Sequence, residues 1–198
     1  MRKLYVSEKL YNIAYNLKFK AIALFEGYPI EHVLEPYQNA YLLGKEYSCD
    51  PADHEQKNLQ LANAFRDIIW ITYRSGFPEL LKGADSSFVT DTGWGCMIRV
   101  GQMLFAQLIK DYLKPKNTHD YELICSYFND FTDNMPFSIQ RIAKLGKKEF
   151  NLSPGQWYNP AQIAYILSGF LNDAKRPEFS KLKSIVFNNS SLFFDQIL

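Results

Sequence analysis

One stretch constrains the fold more than any other: Gly95-Cys96-Met97-Ile98-Arg99-Val100-Gly101-Gln102-Met103-Leu104-Phe105-Ala106-Gln107-Leu108-Ile109. At helical pitch its apolar residues fall nearly all round the wheel, which predicts a buried central helix and a domain built around it. Pro115 ends it. Such a helix needs neighbours. Leu10, Ala14, Leu17, Ala21, Leu24 and Phe25 recur at helical spacing over 7–26, with Ser7 as N-cap and Gly27 as stop. A second helix is predicted from after Asp53 to about Arg74, on the stripe Leu59, Ala62, Phe65, Ile69 and Thr72. Others are predicted at 120–131, 138–145 and 160–171, the last with Asn159 as N-cap and Pro160 at the first helical position. Residues 40–44 read as a short strand or buried turn, 183–187 as a strand on Ile185-Val186-Phe187, and 78–93 as a loop.

Composition narrows the class. At 198 residues the chain is one domain or part of a larger one. With 47% hydrophobic and 22% charged residues, wholesale disorder is excluded. Lys+Arg total 22 against 21 Asp+Glu, and a net charge of +1 lacks the basic excess of a phosphate-neutralising nucleic-acid binder. No apolar run approaches the ~18 residues of a membrane span, and the first nine residues hold no apolar core of a secretory signal. Cys49, Cys96 and Cys125 are odd in number and widely spaced, which reads as free thiols in a reducing, cytoplasmic setting rather than as a zinc site. Strand signals are too few for a self-sufficient α+β sheet, and 191–198 reads as the start of an amphipathic helix that stops on Ile-Leu. Both features lead us to expect a piece of a larger domain.

The chemistry is carried by Thr90-Asp91-Thr92-Gly93-Trp94-Gly95-Cys96. A polar loop with two glycines delivers one cysteine to the first turn of the buried helix. A free thiol has a pKa of about 8.5, and only the thiolate attacks carbonyls well. Exposed N–H groups and the positive end of a helix favour the thiolate and can hold a developing oxyanion. Gly93 and Gly95 leave room for a substrate backbone, and Trp94 can pack beside the thiol and exclude water. This is the logic of a papain-like cysteine protease. The plainer reading makes Cys96 a small buried hydrophobe at a helix start. Cys49 and Cys125 take that plain reading, Cys125 on an apolar face with Leu123, Ile124 and Phe128.

The same residues carry a resemblance. Residues 90–99, with Gly101-Gln102-Met103 and Ala106-Gln107, resemble the nucleophile segment of the autophagins, autophagy-related cysteine proteases of papain-like fold. Three further blocks agree in order: Tyr41-Leu42-Leu43-Gly44-Lys45-Glu46-Tyr47, Trp70-Ile71-Thr72-Tyr73-Arg74-Ser75-Gly76-Phe77-Pro78, and Gly155-Gln156-Trp157-Tyr158-Asn159-Pro160. The resemblance covers roughly 40–198 and leaves 1–39 as an unmatched helical extension. It implies an α+β papain-like domain, represented mainly by its helical half around the central helix. It implies Cys96 as nucleophile, Tyr73 in the oxyanion hole, and Trp157 as the cover of a channel for the substrate's C-terminal glycine. Trp94, Gly93 and Gly95 would line the site. Read without the family, Tyr73 is a core residue on the second helix and Trp157 a ring at a loop–helix junction. The implied substrate is a ubiquitin-like autophagy protein, trimmed to a C-terminal glycine or released from phosphatidylethanolamine, so that membrane contact is indirect. The resemblance implies no cofactor and no metal.

The family takes its base and orienting carboxylate from an Asp-Pro-His segment downstream of the cysteine. Nothing after Cys96 matches it, and the only downstream histidine, His119, would sit near the far end of the central helix. Asp50-Pro51-Ala52-Asp53-His54 lies on the wrong side and reads as helix N-capping, and His32 as a solvated loop residue. The expected molecule is therefore the N-terminal part of the peptidase, with little activity by itself. Two alternatives are a non-catalytic module that binds the ubiquitin-like protein, and a different papain-like deconjugase or acyltransferase.

Overall fold

The computed structural model describes residues 39–48, 53–76, 78, 80, 88–131 and 135–187. The helix expected at 7–26, Cys49, His32 and the apolar end at 191–198 lie outside these residues. The described residues divide into two compact units, one ending at Trp70 and the other beginning at Ile71.

The first unit is a hairpin and a helix. Strands β1 (Asn39–Leu42) and β2 (Lys45–Ser48) pair antiparallel, with Ala40 opposite Tyr47. Leu43 and Gly44 both take positive φ, 51° and 79°, the two-residue turn whose twist matches that of the strands. Of the two readings of 40–44 the strand holds; the turn is not buried, since Leu43 is 63% exposed. Helix α1 (His54–Arg66) packs on the hairpin through Leu61, against Tyr47, Ala40 and Leu42. It stops well short of Arg74. Ile68, Ile69, Trp70, Ile71, Thr72 and Tyr73 are all β-branched or aromatic, and this run prefers extended backbone to helix. Of the expected stripe Ala62 is buried, but Leu59 and Phe65 are exposed, and Asn58 and Leu61 are buried instead.

The second unit is helical: α2 (Cys96–Leu113), α3 (Thr118–Ser126), α4 (Ile139–Phe150) and α5 (Pro160–Asp173), followed by a 3₁₀ turn at Pro177–Phe179. Helix α2 is central and packs against α3 and α5, while α4 packs against α5. Ile98, Ala106 and Ile109 of α2 are fully buried. Gly101 permits the close crossing with α5, because Ile163 occupies the space a Cβ would need. Phe137 lies at the heart of the core, with ring centroids 5.8 Å from Phe105, 5.2 Å from Phe128 and 6.1 Å from Phe179. Burial of α2 is not all-round, however. Val100, Leu104 and Leu108, spaced four apart, form an exposed stripe, with Leu104 66% exposed.

Residues 183–187 form no strand. The Asn172 side chain takes the place of a partner strand at Ser184, donating to its carbonyl at 2.8 Å and accepting from its N–H at 2.9 Å, and Ser168 Oγ donates to the same carbonyl. The backbone polar groups of Ser184 are thus satisfied without a sheet. The described fold is mostly helical with one small two-stranded sheet.

Candidate active site

The site is assembled from the loop before α2. The extended run after α1 pairs with the residues that lead into this loop. Ser75 bridges Thr90 antiparallel, Gly76 N donates to Val89 O at 2.8 Å, and Asp91 N donates to Arg74 O at 3.3 Å. Tyr73 is 37% exposed and lies on this extended segment, not on a helix.

Beyond Thr90 the chain turns sharply. The N–H groups of Trp94 and Gly95 both donate to Asp91 O, at 3.2 and 2.8 Å. Gly93 has φ 91°, in the left-handed region that a Cβ disfavours. Gly95 passes directly over Asp91, and a Cβ there would lie 2.5 Å from Asp91 Oδ2. Both glycines therefore have internal work: one makes the turn, the other clears a buried carboxylate. Trp94 is buried, donates from Nε1 to Thr90 O at 2.9 Å, and meets Phe88 edge-on at 6.1 Å.

Cys96 is the first residue of α2, half-buried and free. No side chain caps this helix and no acidic residue lies in its first turn. Asn117, Ser138 and Asn159 cap α3, α4 and α5. The positive end of α2 is thus left to whatever binds beside Cys96. Trp157 comes from the loop before α5 and reaches this site: its Nε1 donates to Gly93 O at 2.9 Å, while the ring stays 69% exposed. Its loop is braced by Gln156 Oε1, which accepts from Ser153 N, and by Gly155, which packs on the Phe88 ring. Four of the expected residues, Gly93, Trp94, Gly95 and Cys96, thus share one loop with Trp157 bonded to it, and Tyr73 is on the neighbouring segment.

Beneath the loop lies a charge network that sequence reading missed. Arg99 donates from Nε to Asp91 Oδ2 at 2.6 Å and from Nη1 to Asp130 Oδ2 at 2.7 Å and Gln102 Oε1 at 2.8 Å. Arg74 Nη1 donates to the same Asp130 oxygen at 2.8 Å and to Phe128 O at 2.8 Å. Asp130 also accepts from Ile139 N through its carboxylate and from the Gln140 amide through its backbone carbonyl. Burial opposes the Arg99 charge, but the hydrogen bond to Asp91 and the charges of Asp130 and Asp91 outweigh it and raise the pKa above the ordinary arginine value. A signal was available: an arginine in the first turn of a helix read as buried needs carboxylates around it.

Other candidates are not brought in. His119 is exposed in the first turn of α3, beyond the C-terminal end of the 18-residue α2, which is about 27 Å from start to end at 1.5 Å per residue. Cys125 is exposed rather than part of the core; at that point of α3 only its neighbour Ile124 is buried. Among the described residues no cluster of His, Cys, Asp or Glu could hold a metal ion, and no helix is long and apolar enough to cross a membrane.

A helical core that sets a free thiol at the uncapped start of its central helix, with an indole tied to the loop before it, has the layout of a thiol-dependent enzyme. Residues 58–198 match the family described as the Peptidase C54 catalytic domain, and the chain belongs to that family of cysteine proteases. It is 30% identical over 167 residues to the probable cysteine protease atg4 of Aspergillus niger, covering 71% of this chain and 40% of that protein. It is 34% identical over 151 residues to cysteine protease ATG4B of Gallus gallus (72% and 35% covered), and 36% identical over 143 residues to that of Xenopus laevis (67% and 34%). The chain spans between a third and two fifths of the length of these relatives.

Proposed function

We propose that residues 40–198 are the N-terminal part of a papain-like cysteine protease domain, with 1–39 as an extension outside it. On this reading the enzyme trims the C-terminus of a ubiquitin-like autophagy protein to expose a glycine, and cleaves the amide that joins that glycine to phosphatidylethanolamine. It works in the cytoplasm and meets the membrane only through its lipidated substrate.

Cys96 is the nucleophile. Its thiolate adds to the carbonyl carbon of the substrate's glycine, and the carbonyl oxygen takes up the negative charge. The free N–H groups at the start of α2 and the Tyr73 hydroxyl hold that oxygen. Collapse expels the amine, which takes a proton from the conjugate acid of the base, and water then hydrolyses the thioester. The base and the carboxylate that orients it come from the rest of the enzyme. A channel edged by Gly93 and Gly95 and roofed by Trp157 selects glycine, because a Cβ would collide with it.

The observation that carries this reading is the bond from Trp157 Nε1 to Gly93 O, 64 residues apart in sequence, which ties the indole to the loop that delivers the thiol. The test is covalent capture by the ubiquitin-like protein with its C-terminal glycine converted to an aldehyde, read by mass spectrometry. We expect an adduct at Cys96 that disappears in Cys96→Ser, and cleavage only in the complete enzyme. An adduct at Cys125 instead would sink the assignment. Binding without any adduct, unchanged in Cys96→Ser, is the outcome of the non-catalytic alternative.

A further inference from the structure

We propose that Asp91 is a positioning residue: its one buried carboxylate holds the segment that carries Tyr73 and the first turn of α2, which carries Cys96, at a fixed offset. The functional consequence rests on the reading of Cys96 and Tyr73 given above; the clamp itself rests on geometry.

Asp91 is fully buried. Its Oδ1 accepts from Arg74 N at 2.7 Å, one residue from Tyr73. Its Oδ2 accepts from Arg99 Nε at 2.6 Å, three residues from Cys96 and therefore on the first turn of the same helix. Its own carbonyl accepts the N–H groups of Trp94 and Gly95, which shape the turn between them. One residue thus joins all three parts of the site. The backbone pairing of the two segments is a single isolated bridge, far short of a ladder that could hold register alone. The clamp is closed from below, because Asp130 Oδ2 accepts from both Arg99 and Arg74. Two arginines and two carboxylates make a neutral ring, so the buried charges compensate one another. An amide cannot take the place of the carboxylate. Both partners of Asp91 are donors, and Asn would turn an N–H₂ group toward one of them.

The experiment uses Asp91→Asn and the paired variant Asp91→Ala/Arg99→Met. The pair leaves no new unpaired charge, since Asp130 keeps Arg74, and it remains testable where the single change fails to fold. Amide hydrogen exchange reads the clamp directly. We expect exchange at 73–76 to quicken by about tenfold or more, with buried amides of α4 and α5 within about twofold of the parent. No change at 73–76, or an equal rise in every element, would overturn the proposal. Capture of a peptide ending in glycinal reads the consequence: the thiol adds across the aldehyde, its proton passing to the oxygen. Asp91→Asn and Tyr73→Phe should each weaken capture several-fold, and together about as much as the worse of the two. Losses that multiply would overturn the shared geometry. If the complete enzyme gives no capture while iodoacetamide still alkylates Cys96, the protease reading fails, and hydrogen exchange decides the clamp by itself.

Discussion

Helices α2 and α5 cross in the core, yet they begin in opposite ways. At α5, Asn159 Oδ1 accepts from Gln162 N at 2.8 Å, Gln162 Oε1 accepts from Asn159 N at 2.9 Å, and Pro160 fills the first position. The reciprocal bonds consume N–H groups that a helix start otherwise leaves open. At α2 the N-cap is Gly95, no side chain accepts from the first turn, and the residue placed there is a cysteine. A good cap is worth about 1 kcal/mol, so α2 forgoes stability that α5 takes. What holds the start of α2 lies underneath it, in the Asp91–Arg99 pair. The difference separates two tasks: α5 fixes a helix end, and α2 keeps one open while its loop is held from the buried side.

The strongest way to break this contrast is to remove the support under α2. Arg99→Ala leaves Asp91 without its guanidinium and strips Asp130 of one of its two. Breaking one side of a buried pair costs about 3–5 kcal/mol, and denaturant unfolding should show a loss on that scale. A loss under about 1 kcal/mol, the worth of an exposed ion pair, would mean that the network does not hold the loop. Next in size is Gly95→Ser. On propensity alone serine is the better cap by a few tenths of a kcal/mol. Its Cβ, however, would lie 2.5 Å from Asp91 Oδ2, and we expect a net loss of about 1–3 kcal/mol, as for overpacking. A gain in melting temperature would show that α2 can be capped in the manner of α5, and that its open start is not enforced by the fold.

The same contrast explains how much of the molecule was legible in the sequence. Asn159-Pro160 is a local signal, and α5 begins where it says. The start of α2 at Cys96 and its end before Pro115 were legible for the same reason: glycines and a proline punctuate a long apolar run. The second helix was drawn too far because its stripe runs on at helical spacing into residues 68–73. There the propensity of six β-branched or aromatic residues wins, and the chain extends toward Tyr73. The strand at 183–187 failed because a strand needs a partner, and the Asn172 amide serves Ser184 instead. Within the site, Cys96, Trp94 and the glycines were legible as one loop. The bond from Trp157 to Gly93 and the ring of Arg74, Asp91, Arg99 and Asp130 join residues far apart in the chain, and no periodicity reports such joins.

The smallest expected effect lies at the closed start, in Asn159→Ala. It removes an acceptor for Gln162 N and, with it, the geometry of the return bond from Gln162. The expected cost is about 1 kcal/mol, against a few tenths for Asn159→Gly, because glycine adopts the cap conformation and lets water reach the open N–H groups. The change also bears on the site. Trp157 lies two residues before the cap, so fraying of the first turn of α5 loosens the segment that holds the indole on Gly93. Calorimetry on the two variants, with hydrogen exchange at 157–163, separates the contributions. If neither variant costs more than a few tenths of a kcal/mol, the side-chain cap contributes little to the start of α5, and the contrast with α2 rests on Asp91 alone.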